Sequence, residues 1–386
     1  MNMLSKTIRT LSAMVGSAVL VAGTLVVAAP GMVAAAGQCP ITINEQGSTT
    51  VYPALIAAQA GFQASTGCTI NIVGNGSGAG LTALLAGQVN IAASSRPLNA
   101  GTEQNNLYAW KIGGDAMVLA VQNSSAMSAI SSISVNQVQG IYQGTITNWN
   151  QINGSYPSMP IVPRSRTTVS GSYSDQLRLF GINTGLEATT ITNTGLPRLA
   201  TSQDEADAAC NNAGQVVYTS LANLLTFGPA GSGCLKALSL AAGSTSNFVA
   251  PSVTSVQNGT YPAPRQLFLA MQKWAVLGGT ATTDTSANVK AMDLVNYMLS
   301  TAGQTTVAQV GFVNAAVPAA QPVLDYDVNL DGAISLGDLG NITGRWGQTS
   351  PCNGWIRADV NNDGGVGLAD IGRVTAHWGQ VGFVAP

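Results

Sequence analysis

The sequence has few charged residues. Asp, Glu, Lys and Arg together make up 8% of its 386 residues, against about 25% in an ordinary soluble domain. The formal net charge is -2 and no run of Lys or Arg occurs, so the chain lacks the basic field that attracts nucleic acid or an anionic membrane. We therefore expect no nucleic-acid partner.

Histidine is almost absent, which limits the catalytic chemistry of the chain. The single histidine, His377, lies near the end of the sequence, so the main part cannot contain a Ser/His pair or a histidine-bound metal. A carboxylate pair of the glycosidase type needs only acidic residues, but those of the main part are few and stand in no recognisable motif. We expect a protein that is not an enzyme.

A long apolar run occurs only near the start. Lys6 and Arg9 precede an apolar run over 11–29, and "MVAAAG" offers a cleavage site after Ala36. This pattern is typical of an export signal over residues 1–36. An uncleaved membrane anchor is the alternative, because the run is long for a signal. We expect a secreted protein of the extracellular space or the cell envelope.

Cysteine is scarce, with five residues, but in an exported chain cysteines are expected to pair. Cys39 and Cys68 each precede a β-rich run by two residues. A bridge between them is expected if those runs are adjacent parallel strands. Cys210 and Cys234 are the next pair by exclusion, and Cys352 is the odd residue.

Short β-rich runs alternate with apolar helical stretches from 41 to about 312. "ITINE" is followed by "YPALIAAQAGFQ", and "TINIVG" by "LTALLAGQ". This alternation predicts an α/β fold with largely parallel sheets. A Pro- and Ala-rich stretch at 317–325 is typical of a stiff linker, and a further unit follows at 326–380.

A strand, a Gly/Ser/Thr turn and a helix recur three times, in "GSTTVYPALIAAQ", "GNGSGAGLTALLAG" and "RSRTTVSGSYSDQLRLF". The start of a helix carries unpaired N–H donors and the positive end of the dipole, so each turn can seat an anion. Three such turns could surround one oxyanion. Ser and Thr also cap helices for structural reasons alone, which is the alternative for each turn.

Seven segments follow one another in the sequence: "GSTTVYP", "VGNGSGAG", "VNIAASSRP", "IGGDAMVLAVQN", "IYQGTITNWNQI", "RTTVSGS" and "YPAPRQLFLAM". In order and spacing they resemble the phosphate-binding proteins of ABC transporters. The resemblance covers about 41–315 and implies a periplasmic-binding-protein type II fold, in which two α/β lobes and a hinge close on phosphate or a similar oxyanion. Within 37–316, lobe 1 would comprise about 37–121 and 262–316, and lobe 2 about 122–261. An ABC permease is an implied partner.

The resemblance also implies which residues contact the anion. Arg166 would be the main positive charge, because its planar forked donors match a tetrahedral oxyanion. The other implied contacts are hydroxyl groups and backbone amides, from Ser48, Thr49, Thr50, Ser77, Gly78, Ser170, Gly171 and Ser172.

Two positions, Ser95 and Thr168, depart from the family pattern. Ser95 stands where well-studied members have an Asp that accepts a hydrogen bond from protonated phosphate, and Arg96 follows it. Both are expected to line the site, with a surface ion pair as the alternative for Arg96. Thr168 stands where an Asp often orients the arginine. Because a carboxylate at the Ser95 position helps to exclude sulfate, its loss leaves the anion selectivity open.

Two acidic loops near the end, "DVNLDGAISLGD" at 327–338 and "DVNNDGGVGLAD" at 359–370, share one pattern. DxNxDG with an Asp at the twelfth position is an oxygen cage for calcium, so we expect two Ca²⁺ ions. The expected ligands are Asp327, Asn329, Asp331, Ala333, Ser335 and Asp338 in the first loop, and Asp359, Asn361, Asp363, Gly365 and Asp370 in the second.

A single helix follows each loop, and this arrangement resembles a type I dockerin. The resemblance implies docking through the helices onto a cohesin domain of a scaffold or surface protein. The usual Ser-Thr pair of the loops is here Leu336-Gly337 and Leu368-Ala369, so the partner is a cohesin-like or another surface domain. Trp346 and Trp378, at matching helix ends, are expected in the core or on the docking surface.

These patterns together predict a secreted solute-binding protein that is held at a surface by a calcium module. The alternative is a structural or adhesive matrix protein that keeps the fold without the ligand.

Overall fold

The computed structural model of the chain describes residues 41–228, 232–273, 286–315, 328, 333–349, 358–360 and 365–380. The predicted signal (1–36), the linker (317–325), Cys39 and Cys352 lie outside these residues. No helix of the described part is both long enough and apolar enough to cross a membrane.

The strands of the described residues are β1 Thr42–Gly47, β2 Thr69–Gly74, β3 Ile91–Ser94, β4 Leu107–Gln122, β5 Ser132–Ser134, β6 Val162–Pro163, β7 Gln215–Ser220, β8 Leu235–Ala237, β9 Ser239–Ala241, β10 Pro264–Gln272 and β11 Val313–Asn314. The main sheet has the order β2-β1-β3-β10-β4-β7-β6, with β8 and β11 also paired to β4, and β5 pairs with β9 separately.

The helices are α1 Tyr52–Thr66, α2 Ser77–Leu85, α3 Thr102–Asn106, α4 Val135–Tyr142, α5 Gly171–Phe180, α6 Thr184–Asn193, α7 Ser202–Asn211, α8 Asn223–Phe227, α9 Val253–Gln257, α10 Ser286–Leu299, α11 Thr301–Gln309, α12 Leu336–Gly344 and α13 Leu368–Ala376. Short 3-10 helices occupy Ser125–Met127 and Trp149–Gln151. Helix α1 shows how the sequence sets its ends: Pro53 lies in its first turn, and Gly67 ends it with a φ of 73° that favours glycine.

Strand β4 joins two lobes. Its first part, Leu107–Ala116, pairs antiparallel with β10, and its last part, Met117–Gln122, pairs with β7 and β8. The chain passes back beside it, where the Met117 N–H donates to the Ala263 carbonyl at 2.9 Å. We call the side with β1, β2, β3 and β10 lobe 1, and the side with β6, β7 and β8 lobe 2. The predicted two-lobed α/β fold is present.

The prediction of largely parallel sheets is wrong for the centre of the molecule. β1 pairs in parallel with β2 and β3, and β6 with β7. β10 and β4, however, run antiparallel to their neighbours. These strands carry the chain between the lobes and back, so they run in opposite directions along the same path.

The two predicted disulfides have different outcomes. A bridge joins Cys210, in α7, to Cys234, just before β8, as predicted. Strands β1 and β2 are parallel neighbours from Thr42 and Thr69 onward, as the other pairing required. Among the described residues, however, Cys68 is a buried free thiol, which does not support that bridge, and Cys39 lies outside them.

The repeat at the end of the sequence is also a repeat in structure. The Gly347 N–H, after α12, donates to the Val366 carbonyl before α13, and the Gly379 N–H, after α13, donates to the Ile334 carbonyl before α12, both at 2.9 Å. Among the described residues, the buried core of this part consists of Val328, Ile334, Ile342, Ala358, Val366 and Val374. Each repeat therefore completes the other, and we call 326–380 the C-terminal module.

Candidate functional site

The three predicted turns meet at one buried place between the lobes, which we call the anion seat. The first turn follows β1, the second opens α2 and the third opens α5. The Gly78 N–H donates to the Val169 carbonyl at 2.9 Å, and the Thr50 hydroxyl lies 3.4 Å from that of Ser172. Segments far apart in sequence and on both lobes thus contribute to one site.

Glycine at 171 allows the third turn to lie against lobe 1. A Cβ atom there would come within 2.3 Å of Ser77 Oγ and 2.5 Å of Ser95 Oγ, and real Cβ atoms do not approach that closely. The backbone at the start of α5 therefore touches the second turn directly. Hydroxyl side chains order the first and third turns: Ser48 Oγ accepts from Thr50 N at 3.2 Å, and Ser170 Oγ caps α5.

The predicted arginine, Arg166, is fully buried behind the seat. All five of its side-chain N–H groups donate to protein atoms. The acceptors are Glu205 Oε1 at 2.8 Å, Thr49 Oγ1 at 2.8 Å, the Ala200 carbonyl at 3.0 Å, the Leu199 carbonyl at 3.2 Å and Ser202 Oγ at 3.3 Å.

Helix α7 supplies the partner that the sequence seemed to lack at Thr168. Its Glu205 forms the ion pair with Arg166, and burial raises the pKa of this carboxyl while the adjacent arginine opposes the rise. The Thr49 hydroxyl lies on lobe 1 and the guanidinium on lobe 2, so Arg166 also bonds the lobes together.

A second buried arginine, Arg265, borders the seat and was missed by the sequence reasoning. Its Nε donates to Asp115 Oδ2 at 2.8 Å, and its Nη1 donates to Ser172 Oγ at 2.7 Å. Both residues stood in segments that carried the family resemblance. Their charges within apolar strand sequences could have indicated the pair, because a buried charge needs a partner of opposite charge.

Ser95 lies in the seat, whereas Arg96 is held elsewhere. The Ser95 N–H donates to Ser77 Oγ at 3.1 Å. Arg96 forms a two-pronged pair with Glu103, with both hydrogen bonds at 2.8 Å. Burial alone would raise the pKa of Glu103, but its hydrogen bond with Arg96 holds that pKa below the ordinary value. Arg96 therefore fits the ion-pair alternative better than a ligand role.

Part of each predicted calcium loop is described. The twelfth-position carboxylates Asp338 and Asp370 are fully buried, as is nearly all of Asp359. Asp338 Oδ2 accepts from Ser335 N, and Asp370 Oδ2 from Gly367 N, both at 2.7 Å. Buried carboxylates at matching places suit a hard cation. Asp327, Asn329, Asp331, Asn361 and Asp363 lie outside the described residues, whereas Ala333 and Gly365 are among them.

Apolar side chains at the ends of α12 and α13 face outward. Leu336 and Leu368 are 74% and 76% exposed, and Trp346 and Trp378 are 53% and 51% exposed. The core alternative for the two tryptophans is thus wrong, and apolar side chains are exposed at matching positions of the two repeats.

Comparisons with known proteins agree with this geometry. Residues 33–302 match the model of the PBP superfamily domain. The chain belongs to the PBP superfamily. Protein SphX of Synechococcus elongatus, 27% identical over 284 residues, aligns with 70% of the chain and 77% of its own length.

Solved structures share the superfamily fold. A putative phosphate ABC transporter substrate-binding protein with bound phosphate from Clostridium perfringens is 20% identical, with a TM-score of 0.59 over 71% of this chain and 99% of its own. An ABC-type phosphate transport receptor from Vibrio cholerae is 20% identical, with a TM-score of 0.53 over 71% and 100%.

Proposed function

We propose that this chain is a secreted, non-catalytic solute-binding protein that holds phosphate, or a similar tetrahedral oxyanion, between its lobes. The observation that carries the proposal is the anion seat. Hydroxyls and helix starts from three separate segments converge there beside two buried guanidinium groups. Such groups can replace the water shell of a small anion, and they do not require the protein to carry a net positive charge.

The structures similar in fold support phosphate as the first ligand to test, since their names state phosphate binding or transport. Delivery to an ABC permease belongs to the same proposal. A matrix protein without ligand is less favoured, because two arginines buried in the cleft cost free energy that a purely structural role does not require.

Titration calorimetry on the calcium-loaded mature chain tests the proposal. We expect phosphate to bind with micromolar or tighter affinity, and sulfate and arsenate competition to rank the anions. A variant carrying Arg166→Gln and Glu205→Gln, which removes both charges of that buried pair, should lose binding. Arg373→Gln, in the C-terminal module, is the control for loss of one arginine. Failure of the native chain to bind any oxyanion would refute the proposal.

We further propose that the C-terminal module binds two Ca²⁺ ions and docks onto a cohesin-like or other surface domain. The paired loops with buried carboxylates and the matching exposed leucines support this. In hydrogen exchange, chelation should deprotect 326–380, because gathered carboxylates repel one another without a cation. Unchanged protection of this segment after chelation would contradict the calcium assignment.

A further inference from the structure

Only one of the two arginines beside the seat has donors to spare. Every side-chain N–H of Arg166 already donates to the protein. In Arg265, Nε and Nη2 meet the same Asp115 oxygen, and Nη1 donates to Ser172. No other acceptor among the described residues takes a hydrogen bond from this side chain, so one N–H on each terminal nitrogen is available to a ligand.

The guanidinium of Arg265 lies at the edge of the anion seat. The Ser172 hydroxyl that it touches at 2.7 Å is itself 3.4 Å from the Thr50 hydroxyl of the first turn. The side chain of Arg265 is 1% exposed, and a cation so far from water interacts strongly with a nearby anion. Its pKa is raised: burial alone would lower it, but the carboxylates of Asp115, Asp175 and Glu205 outweigh that effect.

The Asp115–Arg265 pair also lies where β4 and β10 pass between the lobes. The two residues face each other in the register of these strands. The Asp115 Oδ1 atom accepts from Leu221 N of lobe 2 at 2.8 Å, and Arg265 reaches Ser172 of lobe 2. Both residues lie on the strands that connect the lobes, and both bond to lobe 2. A change in the angle between the lobes therefore has to alter these contacts.

We propose, on the basis of the function proposed above, that Arg265 is a second cation that contacts the bound oxyanion and that its pair with Asp115 couples anion binding to lobe closure. The two spare N–H groups of Arg265 donate to anion oxygens beside the hydroxyls of the seat. Arg166 holds the third turn against Thr49 and Glu205.

The test compares phosphate binding by the native chain, Arg265→Lys, and the double variant Asp115→Asn with Arg265→Gln. The double variant leaves no unpaired buried charge, and the lysine variant keeps the charge but lacks the forked donors. Hydrogen bonds to a charged group predict a loss of about 10- to 100-fold in affinity for both. Lys290→Gln with Asp293→Asn, which removes an ion pair of α10, is the control and should bind like the native chain.

Two further readouts separate ligand contact from a merely structural role. The gain in affinity as phosphate changes from monoanion to dianion with rising pH should be smaller in the double variant. The phosphate-dependent decrease in radius of gyration in small-angle scattering should also be smaller. Native affinity and closure in both variants would overturn the inference and leave the proposed function standing. If the native chain bound no oxyanion, the proposed function would fail as well.

Discussion

A single buried carboxyl group makes the stability of lobe 1 depend on pH. Glu45 lies in β1 and is 2% exposed, and its Oε1 accepts a hydrogen bond from Ala93 N at 3.0 Å. Burial raises its pKa from the ordinary value of 4.5 to about 8, although backbone hydrogen bonds from Ala93 and Val73 oppose the rise. The folded protein therefore keeps this group protonated at pH values where the unfolded chain ionises it.

Replacing Glu45 with Gln should remove this dependence. The native free energy of unfolding should fall as pH rises from 4.5 to about 8, by at most about 1.4 kcal/mol per pH unit. Denaturant unfolding across this range measures the slope, which Glu45→Gln should flatten. Glu103→Gln is the control of opposite sign, since the pKa of Glu103 is lowered and its contribution disappears in acid. An unchanged slope in Glu45→Gln would show that Glu45 does not titrate there.

Adding one methyl group at Gly171 should separate the turns of the anion seat. The new Cβ would lie 3.0 Å from Ser77 Cβ as well as against two hydroxyls, and rotation of the hydroxyls cannot relieve the carbon contact. Overpacking of about 1–3 kcal/mol predicts about 5- to 150-fold weaker phosphate binding for Gly171→Ala by calorimetry. Gly154→Ala, where nothing lies within 4 Å, should bind normally. Equal affinities in the two variants would contradict the close approach.

The hydroxyls of the seat could be predicted from the sequence, but the charges around it could not. Ser48, Ser77 and Ser170 stand at strand-to-helix turns, whose chemistry is local. The partner of Arg166 is Glu205, on another helix, and Arg265 finds Asp115 only because β4 and β10 are paired. Pairings between residues so distant in sequence depend on the tertiary fold.

The bounds and roles of whole strands and helices were also hard to predict from the sequence alone. The end of β4, "AMVLAVQ", has the apolar pattern of a buried strand, but the strand begins at Leu107 and includes Lys111 and Asp115, whose charges interrupt that pattern. Helix α7 is another element whose role depends on the fold. Its first residue, Ser202, and its Glu205 bond to Arg166, while Cys210 near its end is bridged to Cys234.

Removing the Cys210–Cys234 bridge should therefore destabilise lobe 2. The bridge spans 24 residues, and restricting a loop of that size in the unfolded chain stabilises a protein by about 2–4 kcal/mol. Denaturant unfolding of the variant with Cys210→Ser and Cys234→Ser should show a loss of this size. Cys68→Ala, which removes a free thiol, should cost less. A double variant as stable as the native chain would mean that α7 is held by packing alone.

The lobes and the C-terminal module have separate buried clusters. Among the described residues, the core of the C-terminal module consists of its own residues, and the four clusters of the lobes contain none of them. The low overall charge also means that long-range attraction adds little coupling between the parts. Ligands of the seat and of the calcium loops are then expected to stabilise separate cooperative units.

Calorimetric melting should resolve two transitions, one of the lobes that phosphate stabilises and one of the C-terminal module that calcium stabilises. Phosphate at a hundredfold excess over its Kd should stabilise the lobes by about 2.7 kcal/mol, because only the folded seat binds it. Calcium should raise the transition of the C-terminal module and leave that of the lobes unchanged. A chain cut within 317–325 should reproduce both transitions as separate fragments. If calcium shifted the melting of the isolated lobes, the lobes would contain a further cation site. Calcium binding would then not be confined to the C-terminal module.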